Sequence, residues 1–457
     1  PYTTLFRSTK DIDDAIEVEK LEDGYKLGVH IADVSHYVKE GTDLYQEAMD
    51  RGTSVYLADR VIPMLPHKLS NGICSLNPGV VRLTLSCVMT IDKNGNIKDY
   101  EVFESYIKSR IQMTYKKVNK ILEEDIIPEG YEEYADTLKT MAELAKILRK
   151  NKEARGYIDF DVDEAKIIVD DEGKAIDVKL RERGVGEKLI EDFMIAANES
   201  VASYIYYMEY PFVYRVHGTP SEEKIQSFTE YVESCGYHLT GNLKEIYPTT
   251  MQNILDQLKD KKEFRIFSQL LLRSMKKAVY DTKNIGHFGL ASKCYTHFTS
   301  PIRRFPDTTV HRLLHKYIFE AKNDPTTLEN EIPKLAYIAE HSSLKERDSV
   351  SCEREVDDMK MAEYMMDHIG EEYKAMVSSI TKFGIFVTLP NLIEGLIRIE
   401  ELKGDYYTFD ESTIRLIGKK DKKGYRLGDE LEVVCIGANK DERKIDFVLK
   451  KDYGNKK

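Results

Sequence analysis

No stretch of the 457 residues approaches the ~18–20 consecutive apolar residues that a membrane-spanning helix requires. No membrane partner is expected. The N-terminus also lacks the basic-then-apolar pattern of a secretory leader, so the expected location is the cytoplasm. Cysteine is scarce and scattered: Cys74, Cys87, Cys235, Cys294, Cys352 and Cys435 form no C-x-x-C pair, which indicates neither a zinc ribbon nor a disulfide framework. They read as reduced core or surface thiols. An excess of positive charge is missing too, with 67 Lys and Arg against 79 Asp and Glu and a formal net charge of −12. This disfavours loose attachment of a duplex to the outer surface, because that affinity comes from Lys and Arg displacing counterions. A basic channel inside an acidic exterior stays open, since 67 cations are enough to line one.

What is present is a composition of 42% hydrophobic and 32% charged residues, sufficient for a sizeable core and for roughly three domains or one large domain plus a module. Residues 1–8, Pro1 to Ser8, read as the translation of a sequencing-library adaptor and form a non-native segment, while Thr9 onward looks like the interior of a longer polypeptide. From Ala15 apolar positions alternate, and Glu22-Asp23-Gly24 supplies a turn before Tyr25 to Asp33, which predicts a β-hairpin. Strands follow around Ser54 to Leu57 and Leu83 to Ile91, and a second hairpin over Lys166 to Leu180 turns at Asp170 to Gly173. Leu138, Met141, Leu144, Ala145 and Leu148 share one face of a helix, as do Leu189, Ile190, Phe193, Ala197 and Val201 between Glu187 and Tyr206. Gly184-Val185-Gly186 before that helix is half of a dinucleotide loop, but Leu189 takes the place of the third glycine. A charged, mostly helical stretch runs from Ile332 to about His368, and the short strands after Gly370 make a small all-β module of about OB-fold length.

Two segments carry chemistry. Asp11, Asp13 and Asp14 lie within four residues and repel one another unless a cation neutralises them, and hard carboxylate oxygens favour Mg²⁺, with Mn²⁺ as the alternative. Taken alone, such a run is more often a solvated turn. In Tyr295 to Asp307, Arg303 follows Pro301 at a helix boundary, and its planar guanidinium can bind a phosphate through two hydrogen bonds. A lone Arg is more often an ordinary ion pair. Together the two segments supply both halves of a metal-assisted phosphodiester cleavage site. His311 and His315 stand at helical i, i+4, but Arg312 occupies the place where a zinc protease needs Glu, so hydrogen-bonded or solvent-facing imidazoles are expected.

The stretches Lys10 to Ala15, Gly28 to Ser35, Arg51 to Asn77, Leu189 to Asn198, Tyr214 to His217 and Tyr295 to Arg312 resemble the RNase II-type (RNB) exoribonucleases, and within that family the bacterial RNase R branch. The likeness runs from Thr9 to nearly the end. It implies an α+β fold in which a large mixed RNB catalytic domain (9–368) precedes a small all-β OB-fold RNA-binding domain (371–450), with a basic tail at 451–457. It also implies a monomeric, processive 3′-to-5′ exoribonuclease that takes single-stranded RNA to nucleoside 5′-monophosphates with Mg²⁺, and RNA-binding cold-shock domains upstream of this segment.

Carried over residue by residue, the resemblance makes Asp11, Asp13 and Asp14 metal-site aspartates and Arg303 the stabiliser of the scissile phosphate. Tyr115 falls near the 3′-terminal nucleotide, Glu191 against the terminal sugar, and Tyr56 and Phe160 where bases stack. In the C-terminal module Phe383, Phe386, Tyr406 and Tyr407 are stacking candidates, Arg398 replaces a common His, and Lys419, Lys420, Lys422 and Lys423 form a basic loop. Phe386 could equally be core. The sequence departs from the family at Leu5, where a fourth site aspartate is expected, so this chain is expected to be impaired relative to its Leu5→Asp version. Phe305 stands where Tyr is commoner. The alternatives are a noncatalytic RNA-binding or regulatory protein, favoured by a natural Leu5, and a small-molecule phosphatase, disfavoured by the aromatic positions.

Overall fold

The computed structural model describes residues 10–160, 163–240, 246–261, 263–411, 413–420 and 422–454. The proposed adaptor segment, with Leu5, lies outside them, as does the end of the basic tail. The predicted first hairpin forms from β1 (Asp14–Leu21) and β2 (Gly24–Ala32). It is extended by β3 (Val81–Asp92) and β4 (Ile97–Lys108) into an antiparallel sheet of order β1-β2-β3-β4. Glycine is required at the turn because a Cβ on Gly24 would lie 2.0 Å from the Ile91 carbonyl oxygen. Leu27, Val29 and Ile31 on β2 and Leu85, Cys87 and Met89 on β3 are fully buried.

Three helices follow: α1 (Tyr115–Glu124), α2 (Ala135–Ala154) and, after the hairpin β5 (Ala165–Val169) and β6 (Ala175–Leu180), α3 (Val185–Tyr206). The predicted apolar stripe of α3 is the face it buries, with Phe193, Ala197, Val201 and Ile205 packed over β2 and β3. At its start the half-loop of glycines holds protein side chains. Asn119 Oδ1 accepts from Gly186 N at 2.7 Å, Glu123 Oε1 from Val185 N at 2.7 Å and Glu187 Oε2 from Gly184 N at 3.1 Å. Those amides are therefore satisfied by carboxylates and an amide rather than being presented to a phosphate.

Helix α4 (Phe305–Leu314) begins where Pro301 predicted a boundary, and α5 (Pro325–Met366) runs 42 residues, about 60 Å at 1.5 Å per residue. Asp324 caps α5 by accepting from Thr327 N at 3.1 Å. Both α4-region histidines are hydrogen-bonded, as expected: His311 Nε2 to the Phe298 carbonyl at 2.7 Å, and His315 to Asp33 at 2.9 Å and Glu104 at 3.0 Å.

The last strands, β7 (Glu372–Thr381), β8 (Gly384–Thr388), β9 (Glu394–Arg398), β10 (Glu430–Asn439) and β11 (Lys444–Leu449), close a barrel of order β7-β8-β9-β11-β10. The architecture is the α+β mixed body followed by an OB-type barrel. Two large cores organise it. The first joins the β1–β4 sheet to α3, α4 and the start of α5, and the second joins the barrel interior to β5–β6, to helices within 222–274 and to Ala362 and Met365 of α5. The boundary expected near residue 370 is thus a change of secondary structure, while apolar packing continues across it. All six cysteines are free thiols, with Cys352 exposed, and among the described residues no helix is long and apolar enough to cross a membrane.

Candidate active site

The acidic run sits at the entrance to β1, held from two sides. Ser75 Oγ accepts from Ile12 N at 3.0 Å and donates to the Lys10 carbonyl at 2.6 Å, Leu76 N donates to the Ile12 carbonyl at 2.9 Å, and Ala32 N donates to the Asp13 carbonyl at 2.8 Å. Asp13 is consequently buried, with Asp11 half-buried beside it. The Arg303 loop reaches this point from the other end of the chain. Its carbonyl accepts from Ser54 N and Thr53 Oγ1, both at 3.0 Å, and the Arg303 guanidinium donates to Ser300 Oγ at 3.0 Å. Asn198 of α3 latches the same loop, accepting from Phe298 N at 2.9 Å and donating to Tyr295 OH at 3.0 Å. The two segments then meet: Ile302 N donates to Asp13 Oδ1 at 2.8 Å, and Arg303 Nε lies 4.0 Å from Asp13 Oδ2.

Burial pushes the Asp13 carboxyl well above the usual carboxylate range, against the pull of Arg303 and the Ile302 amide, and the neighbouring Asp11 and Asp14 push the same way as burial. Burial also raises Asp11 and Asp14. Among the described residues no three His, Cys, Asp or Glu side chains close into a metal cage. The donors nonetheless suit a hydrated Mg²⁺, which keeps several waters and binds through one or two carboxylates. Asp11, Asp13 and Asp14 line one cavity, and a cation there would offset the charge that burial disfavours.

That cavity measures about 960 Å³ and is lined also by Tyr56, Tyr115, Glu191 and Arg303. It lies near the upper end of the range for ligand pockets. The fold therefore collects Asp11, Asp13, Asp14, Tyr56, Tyr115, Glu191 and Arg303 from distant parts of the sequence. Tyr56 is half-buried and donates its hydroxyl to Asp11 Oδ2 at 3.3 Å. Glu191 is a cavity group on α3 rather than a helix-surface charge. Its Oε1 accepts from Tyr157 OH at 3.0 Å and its Oε2 from Arg183 at 2.6 Å.

Phe160 stands apart from the cavity lining; it is half-buried and packs on the second core. The barrel candidates are also outside the cavity. Phe383, in the β7–β8 turn, is 65% exposed and Tyr406 is 74% exposed, whereas Phe386 on β8 is half-buried. Tyr407 is half-buried against Tyr425, with ring centroids 5.4 Å apart. Arg398 is exposed and 3.3 Å from Asp446, and Lys419, Lys420, Lys422 and Lys423 are all exposed. Sequence reasoning gave no role to Asn198, Tyr157, Arg183 or Lys152. The first ends the Leu189 to Asn198 stretch that carries the family likeness but was given no role of its own, Tyr157 and Lys152 reach Glu191 across 34 and 39 positions, and Arg183 reaches it across eight.

The RNB domain family matches residues 2–320, and the S1 RNA binding domain family matches residues 367–450. The chain belongs to the RNB family. Ribonuclease R 1 of Lactococcus lactis is 46% identical over 448 residues, covering 98% of this chain and 55% of that protein. Ribonuclease R of Thermotoga maritima is 49% identical over 444 residues, covering 96% of this chain and 62% of that protein. The chain thus spans only 55% and 62% of these curated relatives. The structure of Mycoplasma genitalium RNase R in complex with ribose methylated single-stranded RNA superposes with a TM-score of 0.92 at 33% identity, over 97% of this chain and 69% of that one.

Proposed function

We propose that this RNB chain is a 3′-to-5′ exoribonuclease, acting as a cytoplasmic monomer that hydrolyses single-stranded RNA processively to nucleoside 5′-monophosphates with Mg²⁺ or Mn²⁺. The observation that carries the reading is the meeting of Asp13 with Ile302 and Arg303 inside a cavity shared with Asp11, Asp14, Tyr115 and Glu191. Similarity to proteins named Ribonuclease R, one of them solved with single-stranded RNA, supports it.

Asp11, Asp13 and Asp14 would hold the divalent cation, which when bound supplies charge neutralisation at the phosphate and acidifies water. Arg303, fixed by Ser300 and by its own carbonyl, presents its guanidinium to the non-bridging phosphate oxygens, where charge accumulates in the transition state. Glu191 accepts hydroxyls of the terminal sugar, and Tyr56 and Tyr115 offer ring faces to bases, which is compatible with any sequence. Phe160, outside the cavity and half-buried on the second core, is assigned to base stacking through its exposed part, and Phe383, Phe386 and Arg398 to RNA held on the barrel. Hydrolysis breaks the bond from phosphorus to the 3′ oxygen of the preceding nucleotide, so the released unit carries the phosphate on its 5′ side.

The test incubates 3′-labelled and 5′-labelled single-stranded RNA with the chain and Mg²⁺, beside Asp13→Asn and Leu5→Asp. Release of labelled mononucleotide from the 3′ end from the outset, lost in Asp13→Asn, is expected, and Leu5→Asp is expected to be faster. A mobility shift without cleavage in both the parent and Leu5→Asp would replace this reading with that of an RNA-binding protein.

A further inference from the structure

Lys152, in the last turn of α2, is only 3% exposed. A buried ammonium is costly unless charges compensate it. Its Nζ lies 2.8 Å from Asp192 Oδ1, 3.3 Å from Glu191 Oε1 and 3.7 Å above the Tyr157 ring. Tyr157 in turn donates its hydroxyl to the same Glu191 Oε1, and Arg183 holds Oε2. Asp192 Oδ2 is covered by Arg149 at 2.9 Å. One cation thus bridges two adjacent carboxylates of α3, of which Glu191 lines the cavity and Asp192 does not.

Such a cluster is weak evidence for stability, because well-packed apolar residues of equal volume often serve as well or better. What it does supply is geometry. Burial alone would raise the Glu191 carboxyl, but Lys152, Arg149 and Arg183 outweigh it and hold the group below its ordinary value. An ionised carboxylate accepts hydrogen bonds and donates none, and each of its oxygens has more than one lone pair. The donors that every RNA end carries whatever its base are the 2′ and 3′ hydroxyls.

We propose that Lys152 and Tyr157 are positioning residues that clamp Glu191 Oε1, so that its carboxylate faces the cavity as a fixed acceptor for the hydroxyls of a 3′-terminal ribose. This rests on the nuclease reading for the identity of the ligand. A terminus without those hydroxyls forgoes their hydrogen bonds to a charged acceptor, so the clamp sets a preference for ribose ends.

Equilibrium binding of a fluorescent single-stranded oligoribonucleotide ending in ribose or in 2′,3′-dideoxyribose tests this, in EDTA so that nothing is cleaved. The parent chain is expected to prefer the ribose end by about tenfold or more, since a hydrogen bond to a charged group is worth at least that ratio. Tyr157→Phe, which removes only a hydroxyl, should cut the preference several-fold. Lys152→Met should abolish it, and Lys152→Arg should restore part of it. Melting temperatures identify any variant that fails to fold, and Tyr157→Phe then decides. A folded Tyr157→Phe with the full preference, or affinity lost equally for both ends, would overturn the clamp. Preference in EDTA without mononucleotide release in Mg²⁺ by either the parent or Leu5→Asp would refute the nuclease reading and leave the clamp standing; release without preference would do the reverse.

Discussion

Ile302 donates its backbone N–H to Asp13 Oδ1 at 2.8 Å across 289 positions of sequence. The bond occupies one carboxylate oxygen and leaves Oδ2 toward Arg303, whose Nε lies 4.0 Å away. The backbone of the Arg303 loop is thereby locked to the acidic segment, while the guanidinium stays in the cavity, hydrogen-bonded to Ser300 Oγ. Replacing Arg303 with Lys keeps the charge and removes the planar fork. Single-turnover hydrolysis of labelled RNA by Arg303→Lys should fall by ~10²–10³-fold, the loss typical of one oriented transition-state donor, with little change in melting temperature. Wild-type turnover in the variant would remove Arg303 from the chemistry.

Phe383 is 65% exposed at the barrel's β7–β8 turn and contributes little to packing. Phe383→Ala should leave stability within about 0.5 kcal/mol, yet weaken single-stranded RNA binding by the ~1–3 kcal/mol of one stacked base. Because stacking releases no counterions, the slope of log affinity against log salt should stay the same. Fluorescence anisotropy over a salt series measures both, and a shallower slope would show that this surface binds phosphate instead.

Glu331 is fully buried between Arg312 at 2.8 Å and Lys316 at 2.7 Å. Burial alone would raise its carboxyl, but the hydrogen bonds and charges of those two cations outweigh it and bring it to about 2. A carboxyl depressed in the folded state adds stability that is fully present above its unfolded value, 4.5, and lost as pH falls toward 2. Glu331→Gln should therefore be about 3 kcal/mol less stable than the parent at neutral pH, with the gap closing as pH falls below about 4.5. Urea titrations at several pH values check the sign; a gap that widened in acid would contradict it.

Gly395 in β9 has no room for a side chain, since a Cβ would sit 2.5 Å from the Phe447 ring and 2.7 Å from the Ile445 carbonyl oxygen. Gly395→Ala should cost about 1–3 kcal/mol by overpacking the barrel. Calorimetry should show the whole chain melting earlier, not just a C-terminal fraction, because the barrel interior and the helices of 222–274 share one core.

The sequence is legible where a period or an i-to-i+2 spacing carries the signal. The alternation after Ala15, the Gly24 turn and the apolar stripe of α3 all matched the observed elements, as did the convergence of Asp11, Asp13, Asp14 and Arg303 implied by the family likeness. What stays hidden is the partner of each charge. Lys152 ends a helix whose other lysines, Lys139, Lys146 and Lys150, are exposed, so its pattern is that of a surface residue, and the arrival of α3 beside it makes it buried. Phe160 shows the reverse problem: an aromatic just after a helix gives no sign of whether it faces a ligand or a core, and here it packs on the second core. The change from helices to short strands near residue 370 is plain in composition, but which apolar faces cover each other is a property of the assembled layers.

Helix α5 places Leu335, Ile338 and Ala339 in one core and Ala362 and Met365 in the other. A protease cutting between the mixed body and the barrel would therefore sever the chain without freeing two durable fragments. Each piece would carry away half of a torn apolar seam, and trimmed versions of this protein ending near residue 370 are expected to precipitate rather than survive as a smaller folded body.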